Sequence, residues 1–142
     1  MKEMASAEAL NRLIQLSVLL NRKLGEGLEE RGLSLSRAPV LWVISASGPQ
    51  TQRQLADALR VSARNITGLV DSLANDGFVT RNAHPQDRRA LLVTLTTQGE
   101  STVAQLAQDR KELTRELFDG WDGTEFAAFA QGLDTLVGRL RA

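Results

Sequence analysis

Between residues 6 and 31, Leu10, Leu13, Ile14, Ser17, Leu20, Leu24 and Leu28 follow helical spacing, and Leu16, Val18 and Leu19 widen the apolar face. This pattern predicts one long helix buried on more than one side. One side suits the protomer's own core; the other suits a partner helix or a ligand cavity. After the connector Leu33-Ser34-Leu35-Ser36, a helix over about residues 37–47 is predicted, with Ser36 as its cap and Pro39 in its first turn, where the missing N–H costs nothing. Val40, Leu41, Val43 and Ile44 are core candidates, and Trp42 is expected to join them. Ser47-Gly48-Pro49-Gln50 reads as a turn.

The centre of the chain changes rhythm. Gln52 to Leu59 is a short helix with Thr51 as N-cap and Gln54 at the capping-box position. Arg60-Val61 turns the chain, Ser62 caps a second helix to about Asn75, and Gly77 stops it. On that second helix Ile66, Leu69, Val70 and Leu73 share the buried face, while Arg64, Gly68, Asp71 and Asn75 lie opposite, flanked by Asn65 and Thr67. A solvent-facing helix usually carries long charged residues. Short polar groups, one Arg and a Gly instead suit close approach to a partner: Arg pairs with guanine and Asn with adenine, and Gly68 gives up about 1 kcal/mol of helix propensity. Taken alone, the segment also fits a plain amphipathic surface helix. Then Phe78–Arg81 and Leu91–Thr96 read as two strands around the polar tip Asn82–Ala90, which holds Pro85 and the adjacent Arg88 and Arg89. Two helices followed by a basic hairpin make a winged helix-turn-helix. Asp87 is expected to orient one of the two arginines by an ion pair.

Thr97 and Glu100 suggest a second capping box, opening a helix to about Phe118 with Val103, Leu106, Ala107, Arg110, Leu113, Leu117 and Phe118 on its inner side. Gly120-Trp121-Asp122-Gly123 breaks it. The last helix, about 124–141, carries Phe126, Phe129, Ala130, Leu133, Leu136, Val137 and Leu140 at nearly heptad spacing, a stripe that asks for more partner surface than one short helix offers. The fold class is therefore mainly α with a small β-hairpin wing, an α+β winged helix-turn-helix in one domain over 1–142. Residues 33–96 are expected to form its DNA-binding lobe and 6–31 with 97–141 its dimerisation helices, although periodicity and length also allow a monomeric helical bundle.

Formal net charge is zero, which counts mildly against nucleic acid, but its distribution is uneven. Residues 50–90 hold six Arg against four Asp, and 91–142 hold five Lys/Arg against eight Asp/Glu, so the basic excess lies in the helix-turn-helix and wing. The chain has no Cys, which excludes disulfides, thiol redox sensing and thiolate-held metal. Its single His, His84, sits in the wing without an oriented nucleophile, and there is no phosphate loop or paired-His spacing. No enzyme, metal or cofactor is expected. No apolar run is long enough to span a membrane and the N-terminus lacks a signal-peptide pattern, so a cytoplasmic location is expected.

Val61-Ser62-Ala63-Arg64-Asn65-Ile66-Thr67-Gly68-Leu69-Val70-Asp71-Ser72-Leu73, then Asp76-Gly77-Phe78-Val79, His84-Pro85-Gln86-Asp87-Arg88-Arg89-Ala90 and Val93-Thr94-Leu95-Thr96-Thr97-Gln98-Gly99 resemble the MarR family of transcriptional regulators. The resemblance runs nearly the length of the chain, and the Asp-Arg-Arg wing followed by Leu-Thr-x-x-Gly is its specific part. It departs at His84, where many members carry Asp. It implies a homodimer on double-stranded DNA, a pseudo-palindromic operator, and a repressor released by a small aromatic effector. Arg64 and Asn65 are assigned to base edges, with Thr67, Gly68 and Asp71 beside them. Ser62 and either Ser36 or Arg37 are assigned to phosphate, and Arg88 and Arg89 to the wing contact. Thr51, Gln52 and Ala63, at the two helix starts, complete the interface. The resemblance also implies a ligand pocket near Leu13, Ser17, Val40, Trp42 and Ile44. The alternative is a winged-helix module for protein interaction or small-ligand binding that does not touch DNA.

Overall fold

The computed structural model describes all 142 residues. Nine elements follow in order: α1 (Lys2–Glu30), α2 (Ala38–Ser47), β1 (Gln50–Thr51), α3 (Gln52–Leu59), α4 (Ala63–Asn75), β2 (Val79–Ala83), β3 (Leu91–Leu95), α5 (Thr97–Phe118) and α6 (Gly123–Arg141). The chain divides into two compact units, Met1–Leu106 and Ala107–Ala142.

In the first unit the core is built from α2, α3, α4 and the sheet. Val40, Leu41, Leu55, Val70, Leu73 and Val93 are sealed from solvent, and Leu28, Leu33, Phe78 and Leu106 close its edges. The spacing on α4 is as its apolar period predicts: Ile66, Val70 and Leu73 are buried and Leu69 packs against them from the rim. The sheet is antiparallel in the order β1-β3-β2. Gln50 and Thr51, read from sequence as the end of a turn and a cap, also pair with Val93 and Leu92 as a short third strand. Such a strand is too short to show alternation, so only its partner reveals it.

The helix starts are mostly legible locally. Thr51 accepts the Gln54 N–H at 3.1 Å while Gln54 accepts the Thr51 N–H at 2.9 Å, completing the capping box. Ser62 accepts the Asn65 N–H at 3.0 Å. Two caps differ from expectation. Ser36 does not cap α2; Ser34 Oγ takes the Arg37 N–H at 3.2 Å and Arg37 itself occupies the cap position. At α5 the cap is Thr96, not Thr97: its Oγ1 accepts the Gly99 N–H at 3.0 Å and donates to the Gly77 carbonyl at 2.5 Å. The reason lies across the fold. A Cβ on Gly99 would stand 2.1 Å from the Phe78 carbonyl oxygen, so only glycine lets α5 start against the end of α4 and the first wing strand. That contact gives the Leu-Thr-x-x-Gly pattern its physical meaning.

Apolar residues of α1 are buried less than predicted within the single chain. Only Leu28 is buried, while Leu10, Leu13, Ile14, Leu16, Val18, Leu19 and Leu24 remain exposed. In the second unit, Phe118, Trp121, Phe126 and Phe129 form an aromatic cluster with centroid separations of 5.2–6.4 Å, most of them edge-on. Asp122 caps α6 by accepting the Thr124 N–H at 2.7 Å. No residue of α6 is buried, and Leu133, Leu136, Val137 and Leu140 are exposed. No helix is long and apolar enough to cross a membrane.

Candidate nucleic-acid interface

Arg64, Asn65, Thr67, Gly68 and Asp71 all lie exposed on the outer face of α4, with Ser62 and Ala63 at its start. Nothing lies within 4 Å of a Cβ built on Gly68, so the helix backbone there is open to a partner. Arg64 and Asn65 have exposed side chains at the N-terminal end of this face, where a helix in the major groove reaches base edges.

Three of the assigned side chains are held to one another. Arg81, on β2, donates from Nε and Nη2 to Gln52 Oε1 at 3.0 and 2.9 Å and from Nη2 to Asp71 Oδ1 at 2.5 Å. Gln52 Nε2 then donates to Thr67 Oγ1 at 3.0 Å, and Thr67 Oγ1 donates to the Ala63 carbonyl at 2.9 Å. One guanidinium therefore ties the start of α3, the outer face of α4 and the first wing strand together. Asp71 neutralises Arg81, leaving Arg64 as the cation on the outer face of α4. Arg81 was not assigned to the site from sequence. Its spacing to Gln52 and Asp71 carries no signal, although a lone Arg on a short strand beside an apolar core asks for a partner.

Arg37 is largely engaged inside the chain. Its guanidinium donates to Asp76 Oδ2 at 2.6 Å, to Ser72 Oγ at 2.9 Å and to the Gly32 carbonyl, and it lies 5.9 Å from the centre of the Phe78 ring. With 14% of its side chain exposed, it clamps the connector before α2 to the end of α4, and three of its five N–H donors are engaged within the chain. Ser36 remains exposed, its hydroxyl 3.1 Å from that of Ser34.

The wing is a regular ladder from Val79↔Leu95 to Ala83↔Leu91, with Asn82 Nδ2 donating to Thr94 Oγ1 at 2.7 Å. The pairing extends through Ala83, so the tip is shorter than expected, running from His84 to Ala90. Arg88 and Arg89 are exposed on it. Asp87 pairs with neither guanidinium; its Oδ1 accepts the Arg89 N–H at 3.0 Å and shapes the turn instead. A depression of about 280 Å³ lies between the wing and α3, lined by Thr51, Gln52, Arg89, Ala90 and Leu91.

The residues assigned to a ligand pocket are not assembled into one within the chain. Val40 and Ile44 are buried in the core, Leu13 and Ser17 are exposed, and Trp42 is exposed to 45% rather than buried. The buried face of α2 is already filled by Ala38, Val40, Leu41 and Ile44, which turns Trp42 outward.

The MarR family model matches residues 33–91, from the connector before α2 to the first residue of β3. The HTH-type transcriptional repressor YetL of Bacillus subtilis (strain 168) is 28% identical over 137 residues, spanning 95% of this chain and 82% of that protein. Among solved structures, the YusO protein from Bacillus subtilis shares the fold with a TM-score of 0.85 at 18% identity, covering 97% of this chain and 98% of its own. Wild-type apo MarR from E. coli matches with a TM-score of 0.71 at 29% identity, covering 89% and 96%. With this wing, this helix pair and relatives that span nearly its whole length, the chain matches the MarR family of winged helix-turn-helix transcriptional regulators over residues 33–91 and shares its fold.

Proposed function

We propose that the chain is a homodimeric, sequence-specific DNA-binding repressor that seats α4 in successive major grooves of a pseudo-palindromic operator. The observation that carries this reading is the outer face of α4: exposed Arg64 and Asn65 beside Gly68, whose backbone nothing covers, next to a wing bearing Arg88 and Arg89. Arg64 and Asn65 read base edges; Ser62, Ser36 and the helix start meet phosphate; Arg88 and Arg89 reach phosphate or the adjacent minor groove. Gln52, Thr67 and Asp71 act through the Arg81 network, which fixes the angle between α4 and the wing. The exposed apolar stripes of α1 and α6 supply the surface that pairs two copies and sets half-sites about one helical turn apart. A cytoplasmic location follows from that role.

Release by a small aromatic molecule is the finer part of the proposal. Exposed Trp42, Leu13 and Ser17 offer it stacking and polar contact. Such a ligand must favour a dimer with wrongly spaced reading helices, since equal affinity for both states shifts nothing.

The test is a titration of the purified protein against the DNA upstream of its own and neighbouring genes, with scrambled DNA as control, at two salt concentrations. Tight, selective binding at one dimer per site is expected. Equal binding to both DNAs that vanishes together at physiological salt would turn the reading toward a protein-interaction module.

A further inference from the structure

The wing tip is closed by only two backbone bonds, His84 N–H to the Ala90 carbonyl and Ala90 N–H to the Asp87 carbonyl, both at 3.1 Å. Side chains hold the rest. Gln86 N–H donates to His84 Nδ1 at 3.0 Å, Asp87 N–H donates to the same nitrogen at 3.2 Å, and Arg89 N–H donates to Asp87 Oδ1. Pro85 has no N–H to offer. Two successive amides of a turn converging on one side-chain acceptor is the arrangement that Asp and Asn oxygens usually make. Here an imidazole nitrogen makes it, immediately before the two exposed arginines.

We propose that His84 is a positioning residue for the wing: its neutral imidazole, protonated on Nε2 only, orders residues 84–90 and so aims Arg88 and Arg89, and acidification releases them. In the imidazolium both ring nitrogens are donors. The Nδ1–H would then face two backbone N–H groups, and both bonds are lost. The charged groups around it are Asp87, Arg88 and Arg89 on the tip and Arg81 on β2; β1 and β3 carry no titratable side chain, and the wing meets α3 through Thr51 and Gln52, which do not titrate. An added positive charge by itself would strengthen phosphate binding. Loss of tip order acts in the opposite direction, so the sign of the pH effect separates the two.

The DNA half of this inference rests on the function proposed above; the ordering half does not, and two measurements keep them apart. Protection of the Gln86 and Asp87 amides, corrected for intrinsic exchange, is followed by NMR from pH 8 to 5.5 in the free wild-type protein and in His84→Asn, which keeps an acceptor that never charges. Operator affinity is titrated over the same range. In the wild type, protection should disappear on acidification and Kd should rise by roughly fivefold, the factor that one ordinary hydrogen bond's worth of order represents. Both should stay level in His84→Asn. Protection that survives acidification in the wild type overturns the proposal whatever the DNA does. Protection that is lost while affinity holds or rises overturns the link from tip order to DNA. Absence of selective DNA binding at every pH would defeat the proposed function, while the amide measurement would still decide the role of His84.

Discussion

Leu41, Leu55, Ile66 and Leu73 are fully enclosed in the winged lobe, whereas Leu10, Ile14, Leu16, Val18 and Leu19 on α1 and Phe126, Val137 and Leu140 on α6 each expose 41% or more of their surface. Both regions are rich in helix and in aliphatic side chains. The lobe surrounds its apolar faces with a sheet and crossing helices, so one chain completes its core. The terminal helices present long stripes that a single copy leaves open. Scattered exposed apolar residues are ordinary, but contiguous stripes of this length mark a surface awaiting a partner. In the lobe the exposed face of α4 is polar instead, and the exposed apolar residues Leu35, Trp42 and Leu91 stand apart in sequence. On the function proposed above, recognition belongs to α4 and the wing, and assembly to α1 and α6.

The comparison breaks most visibly if charge is placed on both stripes. Ile14→Asp combined with Leu136→Asp should give monomers by sedimentation equilibrium and reduce operator affinity by about a hundredfold, the loss of two-site avidity. A dimer that persists with full affinity would place assembly elsewhere. Next in size is core truncation. Leu73→Ala should cost about 2–5 kcal/mol in denaturant unfolding at any protein concentration. The unfolding midpoint of Val137→Ala should instead vary with protein concentration; a concentration-independent midpoint would show that α6 needs no second copy.

Within the lobe, Arg37 and Arg64 separate structure from recognition. Arg37→Ala should lower stability by about 1.5–3 kcal/mol, because charge-assisted bonds to Asp76 and Ser72 and a bond to the Gly32 carbonyl are lost together. An unchanged melt with a flatter salt slope would return Arg37 to the phosphate contacts. Arg64→Ala should leave the melt unchanged and reduce discrimination between operator and mutated operator by about 1–3 kcal/mol. Retained discrimination would remove it from the base-reading set. One further substitution is diagnostic in its sign. Gly68→Ala meets no neighbouring atom and should stabilise the free protein by about 1 kcal/mol while weakening operator binding. A gain in both would mean that DNA does not approach the helix at that point.

Much of the fold was legible because its signals are local. The period of Ile66, Val70 and Leu73 names the buried face of α4, and Thr51 with Gln54 and Ser62 with Asn65 mark two helix starts within three residues of sequence. Trp42 shows the limit of periodicity: α2 is apolar on nearly every side, so pattern alone does not say which side faces inward, and the packed residues Val40, Leu41 and Ile44 decide it. Thr97 beside Thr96 shows the limit of capping rules. Either threonine offers a hydroxyl, and the choice falls to Thr96 because Phe78 crowds the helix start at Gly99.

By itself the sequence determined the order of the helices and wing strands, the buried face of α4 and its exposed polar face, since each follows from interactions among residues a few positions apart. Only the tertiary structure decided what the polar side chains do. Arg37 reaches Ser72 and Asp76 across 35 and 39 residues, and Arg81 reaches Gln52 across 29. A guanidinium spent on internal acceptors and one free for DNA look identical along a chain, because what distinguishes them is which acceptors folding brings within hydrogen-bonding distance.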